Sequence, residues 1–423
     1  MKFLKHLFLQ LILLACISSA ADAQKGRVNL TFFGSSVCWG TGAEHDHGYA
    51  WQFSHNGALD TAKYRYFNVS TGGDNTLKVE KENRLTTKLF PTHPAIVVLG
   101  LSLGNEGIGN PKDDHGREEI LEQFRSRLLA LADSLKSLHI IPVIVNCYAN
   151  NNFSQVHYDY TMQINRIINT WDYPSINALG AIDDLTGKWV MGYDHDALHP
   201  NTAGHKEMSY AIVPSLFDAL LAGKKTPHYD WNRSYMILEN KHRVSHPLSV
   251  PVRSLMHSFT LSFRFRKAAD GSIAGWASGK QSQEISVSNG QLHYKDLSVA
   301  YPAAQDDWTH VVLSHSYANQ RTQLFVNGKL AGTVKEQLSP DQVFFGGTAA
   351  AVGLKDLSLH RSALNASEAL DLFNKKFIQS SLEFYSPMTK FSADNQLGNE
   401  AQSLTQMQID AGVMLRLQHV ELY

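Results

Sequence analysis

The sequence predicts two domains: a parallel β-sheet covered by helices on both faces, followed by an antiparallel β-sandwich. Three observations lead to this prediction. Short apolar runs alternate with helical patterns up to about residue 221, as in α/β proteins. Beyond a polar segment, Lys224–Asp230, the hydrophobic period changes to two, which is the period of half-buried strands. Two Asn-Gly pairs, at 289–290 and 327–328, indicate tight hairpins in that second half.

The first half contains five apolar runs, each bounded by Gly, Asn, Asp or Pro, as buried parallel strands usually are. The expected strands are Val28–Phe33, Arg65–Val69, Ala95–Gly100, Ile140–Asn146 and Ile176–Ile182. Helices are expected over Glu118–Leu138, which has a one-sided apolar stripe, and over Tyr158–Trp171 and Thr202–Leu221. Asn201 is well placed to cap the last of these helices.

The second half reads as strands joined by hairpins. The alternating run Phe259–Phe265 places apolar residues on one face, and further strands are expected over Thr309–Ser316 and Thr322–Val326. One short helix is expected around Ser367–Phe373. The domain boundaries that follow are 24–223, a linker 224–233, and 234–423, and a polar linker of this kind predicts a first domain that folds by itself.

Composition excludes some classes of function. The chain has 423 residues, of which 43% are hydrophobic and 18% charged, so its composition is that of an ordinary globular protein. The formal net charge is -1, which provides no strongly basic face, and we therefore expect no nucleic-acid partner.

The N-terminus resembles a targeting segment. Lys2 and Lys5 precede an apolar core, and Ala21-Asp22-Ala23 fits a cleavage site, so residues 1–23 are expected to be a signal peptide of an exported, periplasmic or extracellular protein. Leu13–Cys16 loosely resembles a lipobox, which leaves lipoprotein anchoring as the alternative. No later stretch is apolar enough to span a membrane. After removal of residues 1–23, Cys38 and Cys147 remain, too few for a disulfide framework, and whether they pair stays open.

Four segments of the first half carry residues that suit ester chemistry. Ser36 follows the first strand within Gly34–Gly40, where a tight turn can expose its hydroxyl at the carboxyl edge of the sheet. Gly73, in Asn68–Thr76, lies where backbone could approach a ligand closely. Asn105 follows the third strand and can aim an amide donor into the same cleft. Taken singly, each of these segments is also compatible with an ordinary turn.

The fourth segment, Asp194–His205, is the most specific. Asp196 and His199 are three residues apart, so a local turn can bring the carboxylate onto one imidazole nitrogen and leave the other to reach a serine. His195 and His199 are also four apart, the spacing of a helical zinc pair. Gly192 and Pro200 place the stretch in a loop, however, which weakens the metal alternative. No cofactor or metal is expected.

In this order, the four segments resemble the signature blocks of the SGNH (GDSL-like) hydrolase family, over roughly residues 27–223. The resemblance implies a flavodoxin-like α/β/α sandwich and ester hydrolysis. It assigns Ser36 as the nucleophile, Asp196 and His199 as its partners, and the Ser36 N–H, Gly73 and Asn105 as oxyanion-hole donors. Two departures stand out: Ser35 replaces the Asp common in the first block, and Glu106 stands where Asp is common.

Ser35 is therefore a rival nucleophile, although the register favours Ser36. His45, Asp46 and His47 follow the first block and either line the same cleft or form a solvated loop.

The second half resembles a laminin-G-like, concanavalin-A-type sandwich over roughly residues 234–423. The segments that carry the resemblance are 308–313, 324–333, 353–359 and 363–368. Such domains often bind glycans and some bind calcium, while a packing or spacer role is equally compatible.

Together these features predict an exported serine esterase that removes acetyl or short acyl groups, with an acylated carbohydrate as substrate. Two alternatives remain. One is a lipid or lysophospholipid esterase, and the other is a glycan-binding protein whose hydrolase domain is inactive.

Overall fold

A computed structural model describes residues 26–301, 308–391 and 397–420. The expected signal peptide and the alternative lipobox both lie outside the described residues. Among those residues, no helix combines the length and the apolar character needed to cross a bilayer.

The first domain is built on a five-stranded parallel sheet with strand order β2-β1-β3-β4-β5. Four of the five expected strands are present with small shifts at their ends, and the fifth is reduced to two residues. The bounds are β1 Val28–Gly34, β2 Tyr64–Asn68, β3 Ile96–Gly100, β4 Ile141–Val145 and β5 Ser175–Ile176. This order, with the first strand near the middle, is the doubly wound arrangement whose binding crevice lies at the carboxyl ends of the strands.

Helices cover both faces of this sheet, which confirms the predicted three-layer α/β/α sandwich. They are α1 Ser36–Trp39, α2 Tyr49–His55, α3 Thr76–Lys81, α4 Asp114–Ser137, α5 Gln155–Ile168, α6 Leu179–Ile182, α7 Thr202–Tyr210 and α8 Leu216–Leu221. Phe53 of α2 and Phe217 of α8 pack against one face of the sheet, while Phe124 and Leu128 of α4 pack against the other. The domain therefore has two hydrophobic cores, one on each side of the sheet.

Two expected elements of the first domain are shorter than the sequence predicted. The run Ile176–Ile182 continues from β5 into the helical turn α6, so only Ile176 of it lies in a strand. The single helix expected over Thr202–Leu221 is two helices, α7 and α8, separated at Pro214. Proline disfavours helical backbone in the residue before it, which explains the break. The predicted cap is present, because the Asn201 side chain accepts from the backbone N–H of Gly204.

The second domain consists of two antiparallel sheets packed face to face, as predicted. One sheet has the strand order β12-β11-β10-β9-β16-β7-β19 and the other β15-β14-β13-β8-β17-β6-β20, with β18 paired to β17. The strands are β6 Tyr235–Glu239, β7 Leu248–Pro251, β8 Phe259–Arg266, β9 Gly271–Ser278, β10 Gln281–Ser288, β11 Gln291–Tyr294, β12 Leu297–Ala300, β13 Thr309–Ser316, β14 Arg321–Val326, β15 Lys329–Lys335, β16 Gln342–Phe345, β17 Ala351–His360, β18 Leu382–Ser386, β19 Gln408–Ile409 and β20 Met414–Gln418.

Both predicted Asn-Gly hairpins form in this domain. Asn289-Gly290 and Asn327-Gly328 have positive φ at both residues, which is the conformation that a two-residue type I′ turn requires. The predicted short helix is α9, Ala366–Phe373, and Asn365 with Glu368 forms a capping box at its start.

The two domains share a polar, buried seam. Residues Gln379–Ser381 of the second domain lie along β5, the edge strand of the parallel sheet, and the Ser381 N–H donates to the Ser175 carbonyl at 2.9 Å. The Asn169 side chain accepts from the backbone N–H groups of Gln379 and Ser380 at 2.9 and 3.0 Å. The polar linker predicted a first domain that folds by itself, whereas these contacts lead us to expect that it depends on the second domain for stability.

The linker itself is fixed along the second domain. Lys224 donates from Nζ to the Asn399 and Ser403 carbonyls at 2.8 Å each, and the Tyr229 hydroxyl donates to Asp356 at 3.0 Å. The chain between the domains is therefore not a free tether.

Cys38 and Cys147 are free, buried thiols. Cys38 lies in the core on one face of the parallel sheet and Cys147 in the core on the other. Burial raises the pKa of the Cys38 thiol to about 11 and that of the Cys147 thiol to about 12, so both are protonated at neutral pH.

Candidate active site

Ser36 is placed at the carboxyl edge of the sheet by the ends of β1 and β3. β1 ends at Gly34 and Ser36 begins α1 two residues later. Gly34 and Gly100 are direct neighbours across the two strands, and a Cβ on Gly34 would come within 2.3 Å of the Gly100 carbonyl oxygen. A Cβ on Gly100 would come within 2.7 Å of Cys38 in α1. These two glycines therefore allow α1 to sit directly against the strand ends.

Ser35 and Ser36 have different environments. The Ser35 side chain is buried, and its hydroxyl is 3.2 Å from the hydroxyl of Tyr148. The Ser36 hydroxyl instead lines an open cleft of about 480 Å³. Of the two sequence candidates, only Ser36 is thus presented to the cleft.

The loop before α7 holds Asp196 and His199 together. The Asp196 carboxylate contacts His199 Nδ1 at 2.9 and 3.0 Å, and it also accepts from the backbone N–H groups of Leu198 and His199. Partial burial alone would raise the pKa of Asp196, but the hydrogen bonds from the His199 ring and the two backbone groups outweigh it and hold the pKa below its usual value. Asp196 is therefore ionised at neutral pH.

His199 connects this loop to Ser36. An ionised carboxylate can only accept, so His199 Nδ1 carries the proton and Nε2 is left to accept from the Ser36 hydroxyl, 2.9 Å away. Gly42, with φ +94°, lets the loop after α1 approach closely, because a Cβ there would lie 2.4 Å from the Pro200 carbonyl oxygen. The structure thus brings Ser36 together with Asp196 and His199, which lie at least 160 residues further along the sequence.

Gly73 and Asn105, the remaining sequence candidates, line the same cleft as Ser36. Asn105 donates from Nδ2 to the Asp74 carbonyl at 3.0 Å. An amide nitrogen carries two hydrogens, so this bond fixes the orientation of the side chain and leaves a second donor. Gly73 has φ +71°, a conformation that favours glycine.

Glu106, which departs from the family pattern, joins the two loops that carry these donors. It accepts from the backbone N–H of Thr76 at 2.6 Å, at the start of α3. The Asn75 side chain joins the same two loops, because it donates to the Asn105 carbonyl at 3.2 Å. Burial raises the pKa of Glu106, although the bond from Thr76 opposes the shift. These contacts hold Asn105 next to the Gly73 loop.

Asn151 supports the loop of Asp196 and His205 supports the segment after α1, and neither was found from the sequence. The Asn151 N–H donates to the Ala197 carbonyl at 2.8 Å, and its side chain contacts Asp194 at 3.3 Å. His205 accepts from the backbone N–H of Tyr49 and contacts the Thr41 carbonyl at 3.1 Å. Burial lowers the pKa of His205 to about 4, so the ring is neutral. The run of three asparagines after β4, residues 150–152, was the only sequence signal for the first of these supports.

The other histidines near the first block lie elsewhere. The residues that form the cleft do not include His45, Asp46 or His47. His47 stacks on Trp51 of α2, with ring centroids 3.6 Å apart. His195 is exposed in the loop, and in the described parts of the chain no three His, Cys, Asp or Glu side chains converge as a metal site would require.

Comparison with known proteins identifies both domains. Residues 32–207 match the model of the GDSL-like lipase/acylhydrolase family. Residues 250–368 match a laminin-G model of the concanavalin A-like lectin/glucanases superfamily. The chain therefore contains a GDSL-like lipase/acylhydrolase domain followed by a laminin-G-like domain. No curated protein matches the chain.

Solved structures similar to each part of the chain are distant. An acetylxylan esterase from Geobacillus stearothermophilus has 18% identity and a TM-score of 0.34, over 44% of this chain and 93% of that one. A putative lipolytic protein of the G-D-S-L family from Desulfitobacterium hafniense has 14% identity and a TM-score of 0.36, over 44% and 97%. A heptameric SAP-like pentraxin from Limulus polyphemus has 15% identity and a TM-score of 0.31, over 45% and 97%.

Proposed function

We propose that this carboxylic ester hydrolase uses Ser36 as its nucleophile, His199 as its general base and Asp196 as the group that orients the imidazole. The observation that carries the proposal is the continuous hydrogen-bonded chain from the Asp196 carboxylate through His199 to the Ser36 hydroxyl, with contacts of 2.9 Å on both sides of the ring. Such a chain is the arrangement that activates a serine hydroxyl.

In the proposed reaction, the Ser36 hydroxyl attacks the ester carbonyl carbon while its proton passes to His199 Nε2. The tetrahedral intermediate collapses when His199 returns this proton to the departing alcohol oxygen, which leaves an acyl group on Ser36. Water, deprotonated by the same His199, then attacks the acyl group, and the second tetrahedral intermediate releases the carboxylic acid as His199 returns the proton to Ser36 Oγ. Asp196 stays ionised throughout and stabilises the imidazolium that forms in each half of the reaction.

The negative charge on the carbonyl oxygen is proposed to be stabilised by the backbone N–H groups of Ser36 and Gly73 and by the free amide hydrogen of Asn105. Donors fixed before the reaction stabilise a developing oxyanion without reorganisation. Asn105 is fixed in this way by its bond to the Asp74 carbonyl and by the bridge through Glu106.

Acetyl or another short acyl ester on a polysaccharide is the proposed substrate. The cleft is open, and its lining combines three glycines and polar groups such as Ser102 with apolar side chains such as Phe153 and Leu198. Its volume of about 480 Å³ accommodates a sugar that carries a short acyl ester. The laminin-G-like domain and the signal-peptide pattern of residues 1–23 favour an exported enzyme that acts on glycans.

The proposal is tested by comparing Ser36→Ala with Ser35→Ala. Loss of the nucleophile is expected to lower kcat by about 10⁴–10⁶-fold, while Ser35→Ala, which removes one buried hydrogen bond, keeps substantial activity. Hydrolysis of p-nitrophenyl esters of increasing chain length and acetate release from acetylated polysaccharides are the measurements. Near-normal turnover by Ser36→Ala contradicts the nucleophile assignment. A preference for long acyl chains contradicts the proposed substrate and supports a lipid esterase.

A further inference from the structure

The linker between the domains presents one tryptophan to solvent. Trp231 is 71% exposed, although the segment that carries it is fixed on both sides. The Asp230 carboxylate accepts from the Asn232 N–H at 2.8 Å and from the Thr389 hydroxyl at 2.5 Å, and Lys355 donates to the Asn232 carbonyl. An indole held in this way loses little conformational freedom when a ligand covers it.

Polar and charged groups surround this indole. Tyr229 meets it edge to face, with ring centroids 4.9 Å apart. The ammonium group of Lys375 lies 5.7 Å from the centre of the indole ring. A single exposed ring with a polar border suits a ligand that has one apolar face and polar edges, as a sugar ring does.

A groove of about 490 Å³ lies between the C-terminal half of α5, the linker and the segment after α9. His228 of the linker and Lys376, the neighbour of Lys375, both line it. Trp171 and Phe377 contribute its apolar surface. Trp231 does not line the groove itself, but it follows His228 by three residues and lies near Lys375, the neighbour of Lys376. We name the groove together with this indole the linker groove.

The linker groove carries more positive than negative charge. Arg166 makes a two-pronged contact with Asp371, at 2.5 and 2.8 Å, and Lys376 contacts the same carboxylate at 3.3 Å. One carboxylate in the groove therefore faces two cations. Beside the indole, Lys375 adds a third cation and Asp230 a second carboxylate, so three cations stand against two carboxylates. The side chains of Arg166 and Lys376 remain 40% and 63% exposed, so both can meet a ligand.

We propose that the linker groove binds an anionic polysaccharide, with a sugar ring stacked on Trp231 and carboxylate groups of uronic acid residues beside Lys375, Lys376 and Arg166. This inference rests on the proposed function, because it names the class of polymer that carries the ester. The groove lies where α5 ends and the chain turns back into β5, at the amino ends of the parallel strands. Ser36 lies at their carboxyl ends, so the groove anchors the polymer and takes no part in the reaction.

Binding is measured by affinity electrophoresis of the full-length protein in gels that contain sodium polygalacturonate or neutral galactomannan. The wild type should be retarded by polygalacturonate, less so at 0.5 M NaCl, and little by galactomannan. Trp231→Ala should weaken the binding by about 10-fold or more, the value expected for burying one aromatic side chain. Leu330→Ala, at a 51% exposed apolar site of the second domain, is the control and should bind as the wild type does.

The outcomes separate this inference from the proposed function. Trp231→Ala should hydrolyse p-nitrophenyl acetate at the wild-type rate, and Ser36→Ala should bind polygalacturonate as the wild type does. Equal retardation of Trp231→Ala and wild type overturns the site. Equal retardation by galactomannan and polygalacturonate overturns the anionic ligand. Active Ser36→Ala overturns the proposed nucleophile and leaves the binding result unaffected.

Discussion

A chain that ends at Gly223 retains every proposed catalytic residue, yet we expect it to lose most of its stability. Gln379, Ser380 and Ser381 form nine hydrogen bonds with the first domain, and five of these involve a backbone group at 3.0 Å or less. Only these five enter the following sum. At about 0.5–1.5 kcal/mol each, their loss amounts to about 3–8 kcal/mol. A typical domain is stable by only about 5–15 kcal/mol. The other seam contacts, such as Arg166 with Asp371, are lost as well.

The assay compares residues 24–223 with residues 24–423 by thermal unfolding and by hydrolysis of p-nitrophenyl acetate. The truncated chain should unfold at a much lower temperature or aggregate through the exposed edge of β5, and its small-ester activity should fall accordingly. Co-expression with residues 224–423 is the control and should restore activity if the two parts still associate. A soluble truncated chain with an unchanged Tm and full activity would refute the reasoning, and the second domain would then be an independent module.

Two further predictions concern the site and the seam. Asn105→Ala should lower kcat by about 10²–10³-fold with little change in KM, and an effect on KM alone would mean that Asn105 only binds substrate. Burial raises the pKa of Asp183 and of Glu368 to about 7, so the folded protein holds protons that the unfolded chain releases near pH 4. The stability should therefore fall as pH rises from about 4 to 7, on the order of 3 kcal/mol for each group. Unfolding titrations of wild type and Glu368→Gln between pH 4 and 8 check this, and parallel pH profiles for the two proteins would contradict it.

Local patterns predicted the parts of the fold that are locally determined. Buried strands, the capped helix at Asn201 and the Asn-Gly hairpins each depend on a few neighbouring residues, and each is present. The break at Pro214 could have been predicted in the same way, because a proline within a helical pattern is itself a local signal.

The residues of the candidate site could be found because each follows a strand end of one parallel sheet. Ser36, Gly73 and Asn105 come after β1, β2 and β3, so the topology alone brings them to one edge. Asn151 and the seam depend instead on contacts between distant segments. The Asn169 side chain accepts a hydrogen bond from Gln379, which lies 210 residues further along the chain. No sequence pattern around either residue indicates this contact. Contacts between such distant residues produce no periodic pattern or fixed spacing in the sequence, so they cannot be predicted from it.

The covering of β5 by residues 379–381 has a consequence for the order in which the protein matures. β5 is complete at residue 176, but the segment that closes its edge is made about 200 residues later. At about 5–20 residues per second, the open edge persists for roughly 10–40 s of synthesis. Contacts of such long sequence separation also form slowly after synthesis. We therefore expect the chain to acquire activity only once its last fifth has been made, and to depend until then on whatever keeps an unfinished chain from aggregating.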